Sequence, residues 1–366
     1  MKVCTITCHD VYNHGASLQA YALMHYLESI DCSVEIIDYK PDYLSNHYNF
    51  FAIDNINWKK NIILKLIYIA LKFPIRLWSI QRKNAFDRFK RENLKLTPIR
   101  YSSFDELKAN PPMADVYICG SDQIWNTLHK NGKDPSFYLG FSPVGRVRIA
   151  YAASLATDKI YDGYEGFIKS YVDNINYIGV RERSGVELLK SIGINNAQHV
   201  MDPAFLLSKE QWNRVAKGDF NESYVLVYDF DSDVLVKKLA LKIAREKGYK
   251  IYTVNPGKFD FADRRFDFVG PDTFISLIRD AKVVISNSFH AVVFSLIFNT
   301  DFYITMRKEA INIRMSDLLD SLSMKDRLVF DVDGMDLDTP KAFNETKLSY
   351  LTQLSKDFLN KSISGG

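Results

Sequence analysis

Cysteine is scarce in this 366-residue chain: there are four, Cys4, Cys8, Cys32 and Cys119, and no CxxC pair. That pattern argues against a zinc framework or a disulfide scaffold, so the four are expected to be reduced core thiols of a cytosolic protein, with no metal site. Glycine is sparing where a dinucleotide site would need it. The opening pattern has a strand over Met1 to Thr7, a polar turn, a helix over Ala16 to Ile30 and a strand over Ser33 to Tyr39. It carries the single glycine Gly15 where a dinucleotide fingerprint has three, which disfavours a nicotinamide or flavin cofactor. Charge of one sign is also lacking. At a net +3 nothing global points to nucleic acid, and any basic partner surface has to be local. MKVCTIT begins as a strand and lacks the apolar stretch of a secretion signal. The longest apolar run, Ile62 to Ile80, is interrupted by three cations and Pro74, which makes it a poor bilayer-spanning helix.

What remains, 47% hydrophobic and 25% charged residues, is the composition of a folded protein too long for a single core. Strand-like and helix-like runs alternate along the chain, which predicts an α/β fold of two Rossmann-like domains facing across a cleft. The first spans 1–207. A polar stretch from Leu206 to Ser223 reads as the link to a second domain over 208–343, and a helix over Asn344 to Leu359 in the tail 344–366 is placed back against the first domain. In the second domain, strands are predicted over Tyr224 to Phe230, Lys250 to Asn255, Phe268 to Gly270 and Phe302 to Met306.

The chain is organised around Val283 to Phe298, VVISNSFHAVVFSLIF. A β-branched run ends in the polar knot Ser286-Asn287-Ser288-Phe289-His290, and an apolar helix follows. At such a strand-to-helix switch, free N–H groups and the helix dipole favour an anion, and a histidine there can donate to it or pass a proton. The plainer alternative has Ser288 as a helix cap and His290 as an ordinary core or surface histidine. A second polar turn, GSDQIWN from Gly120 to Asn126, follows the strand Val116 to Gly120. Ser121, Asp122, Gln123 and Asn126 offer hydrogen bonds beside the aromatic plate Trp125, a combination suited to a sugar; the alternative is a side-chain turn with a core tryptophan. Asn13 and His14, in the first polar turn, are grouped with this acceptor side. Arg181, next to the strand Tyr177 to Val180, is the better anion candidate, whereas Glu182 and Arg183 read as surface charges.

One segment departs in composition. Residues 57–92 carry ten Lys and Arg against Asp87 and Glu92, interleaved with aliphatic side chains and with Trp58 and Trp78. Either this is a basic amphipathic surface in peripheral contact with an anionic membrane, or a helical hairpin packs its apolar side on the domain and leaves its lysines in water.

These motifs resemble those of the polysaccharide pyruvyl transferase family: NHGASLQAYAL at Asn13 to Leu23, GSDQIWN, GVRERS at Gly179 to Ser184, MDP at Met201 to Pro203, SNSFH at Ser286 to His290, and NIRMSDLLDSL at Asn312 to Leu322. The resemblance covers most of both domains and implies a glycosyltransferase-B-like architecture. It further implies transfer of pyruvate from phosphoenolpyruvate, a co-substrate and not a cofactor, onto two hydroxyls of one sugar as a cyclic ketal. The acceptor would be a lipid-linked or oligosaccharide precursor of a bacterial surface polysaccharide such as capsule, met in the cytoplasm at the inner face of the membrane. By position, His290 would be the catalytic histidine, with Asp122 opposite it in the acceptor half and the two sharing acid and base roles. Arg181, Arg314, Ser286, Asn287 and Ser288 would bind the donor, and Asn13, His14, Ser121, Gln123, Trp125 and Asn126 the acceptor. Relatives often have arginine where this chain has Ser288, so the donor's charge must be met elsewhere. Two rivals stand beside this reading. A nucleotide-sugar glycosyltransferase of the same fold would need a ribose-gripping carboxylate, for which Glu309 is the nearest residue. A non-catalytic glycan-binding protein would need no acid at all.

Overall fold

The computed structural model describes residues 1–44, 51, 53, 56–161, 163–257, 259–308, 312–337 and 343–365. The first domain is built on a parallel sheet of β1 (Lys2–Ile6), β2 (Ser33–Tyr39), β3 (Leu96–Tyr101), β4 (Val116–Cys119), β5 (Val147–Ala153), β6 (Tyr177–Val180) and β7 (Ala197–His199). The order is β3-β2-β1-β4-β5-β6-β7. The second sheet, also parallel, has the order β10-β9-β8-β11-β12, from β8 (Tyr224–Tyr228), β9 (Lys250–Val254), β10 (Arg264–Phe266), β11 (Val283–Ser286) and β12 (Asp301–Ile304). In both, strand order reverses beside the first strand of the domain, at β1/β4 and at β8/β11. Open α/β sheets bind their ligands in the crevice outside the strand ends at such a point.

Helices cover both sheets. The first domain carries α1 (His14–Ser29), α2 (Ile62–Trp78), α3 (Ile80–Asn93), α4 (Phe104–Ala109), α5 (Glu165–Val172) and α6 (Arg183–Ser191). The remainder of the chain adds α7 (Lys209–Val215), α8 (Val234–Lys247), α9 (Pro271–Asp280), α10 (Phe289–Phe298), α11 (Ile313–Leu322) and α12 (Glu345–Ser364). Several boundaries differ from the sequence pattern for local reasons. Helix α1 starts two residues early because Asn13 Oδ1 accepts the Ala16 N–H at 3.2 Å and caps it. The polar stretch read as a link contains α7, whose Ser208 and Gln211 form a capping box, so residues that looked like loop are helix-starting chemistry. The strand expected over Phe268 to Gly270 is instead β10, whose two arginines are tolerated on a sheet edge.

The two domains share a core. Leu18, Ala22 and Leu23 of α1 belong to the same buried cluster as Phe274 and Ile278 of α9 and Phe294 of α10. Helix α12 lies on the first domain, where Tyr26 donates to Asn360 Oδ1 at 3.0 Å and the Met201 N–H donates to Ser355 Oγ at 2.8 Å. All four cysteines are free and buried.

His14, grouped with the acceptor side by sequence, is instead part of this interdomain core. It is fully buried, stacks on Phe274 at 4.5 Å with an interplanar angle of 6°, and also meets Phe86 and Tyr228, so it cannot touch an acceptor. Burial, reinforced by the charge of Arg82, pushes its imidazole well below the usual histidine range. The unfolded chain therefore takes up this proton first as pH falls. Stability is complete above the unfolded value near pH 6.5 and declines below it, by up to about 1.4 kcal/mol per pH unit for one such group. We expect urea midpoints of the parent to fall more steeply between pH 7.5 and 5.5 than those of His14→Phe. Parallel slopes would mean that this ring contributes nothing to acid sensitivity.

Candidate active site

The strand ends of both sheets converge on one cleft. After β4 the chain turns through Gly120 at φ 127°, where an added β-carbon would lie 1.9 Å from the Tyr151 carbonyl oxygen. Only glycine permits that approach, and the turn delivers Asp122 and Gln123 to the cleft. Arg181 follows β6 directly, and Asp202 lies just beyond β7. From the second domain come Phe230 after β8, Ser288 to His290 at the start of α10, and Arg307 after β12; Arg314 stands in the first turn of α11. Asn13, Asp122, Gln123, Phe230, Asn287, Ser288, Phe289, His290, Arg307 and Arg314 line a cavity of about 110 Å³.

Charge is concentrated beneath it. Arg181 Nη1 donates to Asp202 Oδ2 at 3.0 Å, while Asp202 Oδ1 accepts the Ala204 N–H at 3.0 Å. The imidazole of His290 sits 3.5 Å from the same Oδ2 through Nε2, an ion-pair distance whose alignment falls short of a hydrogen bond. Burial acts to raise the Asp202 carboxyl, but His290, Arg181 and the Ala204 amide together outweigh it and hold the group well below the carboxylate range. Asp202 is therefore an anion at any working pH, fixed behind the histidine.

The guanidinium groups of Arg181 and Arg314 lie 4.7 and 5.4 Å from the centre of the Phe289 ring. Asp122 Oδ1 is 3.8 Å from Arg181 and 3.9 Å from Arg314, too far for direct hydrogen bonds. Arg181 Nε and Nη2 are buried without a hydrogen-bond partner. Burial and then repulsion from Arg181 push the Arg314 guanidinium down to about 10, still cationic at neutral pH. With its oxygen turned toward that side chain, the Gln123 amide accepts from Arg314 Nη1 and Nη2 at 3.0 Å. Arg181, buried with unused donors, and Arg314, nearly buried, are mutually repelling cations at the positive end of the α10 dipole and form a receptor for an anion.

The residues singled out from sequence divide clearly. His290, Asp122, Arg181 and Arg314 are brought together, with Asn13, Gln123, Asn287 and Ser288 around them. Ser288 occupies the N-cap position of α10 but makes no side-chain capping bond. Asn287 latches β8 to β11, donating to Asp229 Oδ1 at 2.6 Å and accepting from the Phe230 N–H at 3.1 Å. Ser286 is buried and donates to the Tyr228 carbonyl at 2.6 Å, so its role is to shape the turn. Three acceptor-side assignments need correction. Trp125 is fully buried, stacked on Tyr138 at 5.3 Å and donating from Nε1 to the Phe137 carbonyl, so it is a core tryptophan and offers no plate to a sugar. Asn126 is buried closing its own turn onto the Leu128 N–H. Ser121 is buried behind the cleft, donating to the Ala152 carbonyl and lying 3.4 Å from Asp202 Oδ2. Glu182, read as a surface charge, is fully buried and accepts from the Leu155 and Ala156 N–H groups at 2.7 and 2.9 Å.

Sequence reasoning left Asp202, Arg307 and Gly15 out of the site. Asp202 had a signal, its place in the MDP motif at Met201 to Pro203. Arg307 had little beyond following a strand, and it now lies 4.9 Å from the Phe230 ring centre with Nη2 3.7 Å from Asp231 Oδ1. Glu309 lies outside the described residues. Among the described residues no group of three or more His, Cys, Asp or Glu is arranged to hold a metal ion.

Comparison with known proteins agrees with this architecture. The family model described as polysaccharide pyruvyl transferase matches residues 13–305. The chain is similar in structure to UDP-N-acetylglucosamine 2-epimerase from Rickettsia bellii, at a TM-score of 0.52 and 10% identity over 100% of this chain and 96% of that one. A Listeria monocytogenes protein assigned the same epimerase name gives a TM-score of 0.52 and 8% identity, over 99% and 89% of the two chains. At such identities the likeness concerns the fold alone, a two-domain glycosyltransferase-B-like arrangement. No curated protein sequence matches the chain.

Proposed function

The chain belongs to the polysaccharide pyruvyl transferase family, and from that premise we propose that its cleft moves pyruvate from phosphoenolpyruvate onto two hydroxyls of a sugar in a lipid-linked surface-polysaccharide precursor. The observation that carries this reading is the pair of guanidinium groups, Arg181 buried and Arg314 nearly so, beside His290 and the start of α10. Phosphoenolpyruvate presents a carboxylate and a phosphate within one small molecule, and planar guanidinium forks match both. An anion entering here relieves the repulsion between the two arginines, with Arg181 acting from beneath the cavity that Arg314 lines. The arginine that relatives often carry at position 288 is replaced in function by Arg314 and Arg307, which line the same cavity from α11 and from beyond β12.

The reaction then runs with His290 as acid. Its proton passes to the methylene carbon of phosphoenolpyruvate, leaving an oxocarbenium-like centre at the adjacent carbon. The first sugar hydroxyl adds there and gives its proton to a base, the role proposed for Asp122, which lines the same cavity from the first domain. The carbon–oxygen bond to phosphate breaks and phosphate departs with the bonding pair; the second hydroxyl adds to the resulting centre and loses its proton. Two carbon–oxygen bonds to the sugar form for one lost to phosphate and one π bond; of the two hydroxyl protons released, one balances the proton given to carbon and the other leaves on the departing phosphate. Asp202, behind His290 and already committed to Arg181, orients the imidazole and complements its charge. Mass spectrometry of glycans incubated with phosphoenolpyruvate tests the reading.

A further inference from the structure

Helix α2 is amphipathic in the reverse of the usual sense. On the side turned to the protein Tyr68 and Arg76 are buried, the guanidinium 5.9 Å from the ring centre, while Lys72 at the edge is exposed with its ammonium 6.0 Å from the same ring. Its apolar side faces outward, with Ile62, Ile63, Leu66, Leu71, Ile75 and Trp78 each 51 to 67% exposed. At about 100° per residue these six span more than half the helix circumference, and no charged side chain falls between them. Scattered exposed aliphatics need no explanation, but a contiguous face of this kind marks a surface that something covers. The alternative raised by the sequence has the apolar side packed on the domain; that side is instead exposed, and Lys60 and Lys72 are exposed with it.

Charge identifies what covers it. From Ile56 to Phe86 the chain has seven Lys and Arg and no Asp or Glu; Arg76 and Arg82 are buried, and Lys60, Lys65 and Lys72 are among those that reach the surface. A second copy docking through this face would oppose the same cations across a two-fold axis, a self-repelling arrangement. Anionic headgroups complement the cations while acyl chains take the aliphatic face and Trp78 sits at the interface. Among the described residues no helix is long and apolar enough to cross a membrane. We propose that α2 lies flat in the headgroup region of an anionic lipid bilayer and attaches the protein peripherally to it.

The anchor adjoins the cleft. Trp78 meets Phe268 of the second domain edge-on at 4.7 Å, and α3, which follows, sets Phe86 against His14 and Asp87 against Tyr12, one residue before Asn13 of the cavity lining. The lipid contact itself stands independently of the reaction assigned to that cavity.

Flotation of the full chain with phosphatidylcholine vesicles, with and without phosphatidylglycerol, is the test. We expect binding to the anionic vesicles to exceed that to neutral ones at least about tenfold and to fall by a similar factor at high salt, where surface charge is screened. Both an Ile63→Glu, Leu66→Glu, Leu71→Glu variant and a Lys60→Glu, Lys65→Glu, Lys72→Glu variant should fail to float while keeping the parent circular dichroism spectrum. The first changes only side chains already in solvent, so loss of binding there is not a folding effect. Failure of the parent to float on anionic vesicles would overturn the proposal. So would equal binding to neutral ones, or a parent dimer that the Ile63→Glu, Leu66→Glu, Leu71→Glu variant converts to monomer, which would assign the face to a second copy.

Discussion

A His290→Ala protein is expected to transfer pyruvate at about one hundredth of the parent rate or less, the range for removal of a positioned general acid. The expectation rests on where the ring is held. It opens α10 at the end of β11, lines the cavity with Arg314, and has the buried Asp202 carboxylate at its back. Removing it leaves both guanidinium groups in place, so donor binding should change much less than turnover, and the loss should fall on kcat with KM for phosphoenolpyruvate nearly preserved. The substitution also leaves Asp202 its bond to Arg181, so the fold should remain intact by circular dichroism. Phosphoenolpyruvate consumption at the parent rate would make His290 structural and require another proton donor.

Gly15→Ala should cost nearly as much activity by a different route. An alanine β-carbon at this position of α1 would lie 2.0 Å from His290 Nδ1 and 2.2 Å from Cγ, far inside contact distance, so the imidazole would have to move. A displacement on the order of 1 Å in a catalytic group can cost about a hundredfold in rate. Alanine otherwise suits a helix better than glycine, by about 1 kcal/mol in intrinsic propensity, which offsets part of the clash. Gly15 is thus a positioning residue, and the expected signature is a large fall in kcat with a modest change in urea midpoint. A fall in stability that accounts for the whole loss of activity would show that the glycine serves packing alone, and parent kcat would show that the ring adapts.

That second prediction marks where sequence and structure part. The turn at Ser286 to His290 could be located from a β-branched run meeting an apolar one, because periodicity and turn chemistry are local. Arg181 could be found because a strand end is local too. The interdomain contacts were not legible. Nothing near Gly15 announces that it faces a histidine 275 residues later, and its count as one glycine among an expected three was informative only about what it does not bind. Trp125 shows the converse failure. Polar neighbours suggested an exposed aromatic plate, but the turn that exposes Asp122 and Gln123 folds the indole back onto Tyr138. Within a few residues of a strand end, sequence names the right turn without saying which of its side chains point to the cleft. For α2 the composition indicated a basic amphipathic element, while the direction of its apolar side depended on tertiary packing.

The central claim is that this cleft joins pyruvate from phosphoenolpyruvate to two hydroxyls of one sugar. The most direct test is mass spectrometry of lipid-linked and free oligosaccharides incubated with the full chain and either phosphoenolpyruvate or nucleotide sugars. The account predicts that an acceptor gains the mass of one pyruvate less one water, loses two free hydroxyls, and releases one phosphate per transfer, only with phosphoenolpyruvate and only while His290 is present. Gain of a sugar residue from a nucleotide donor with phosphoenolpyruvate left unconsumed would contradict it.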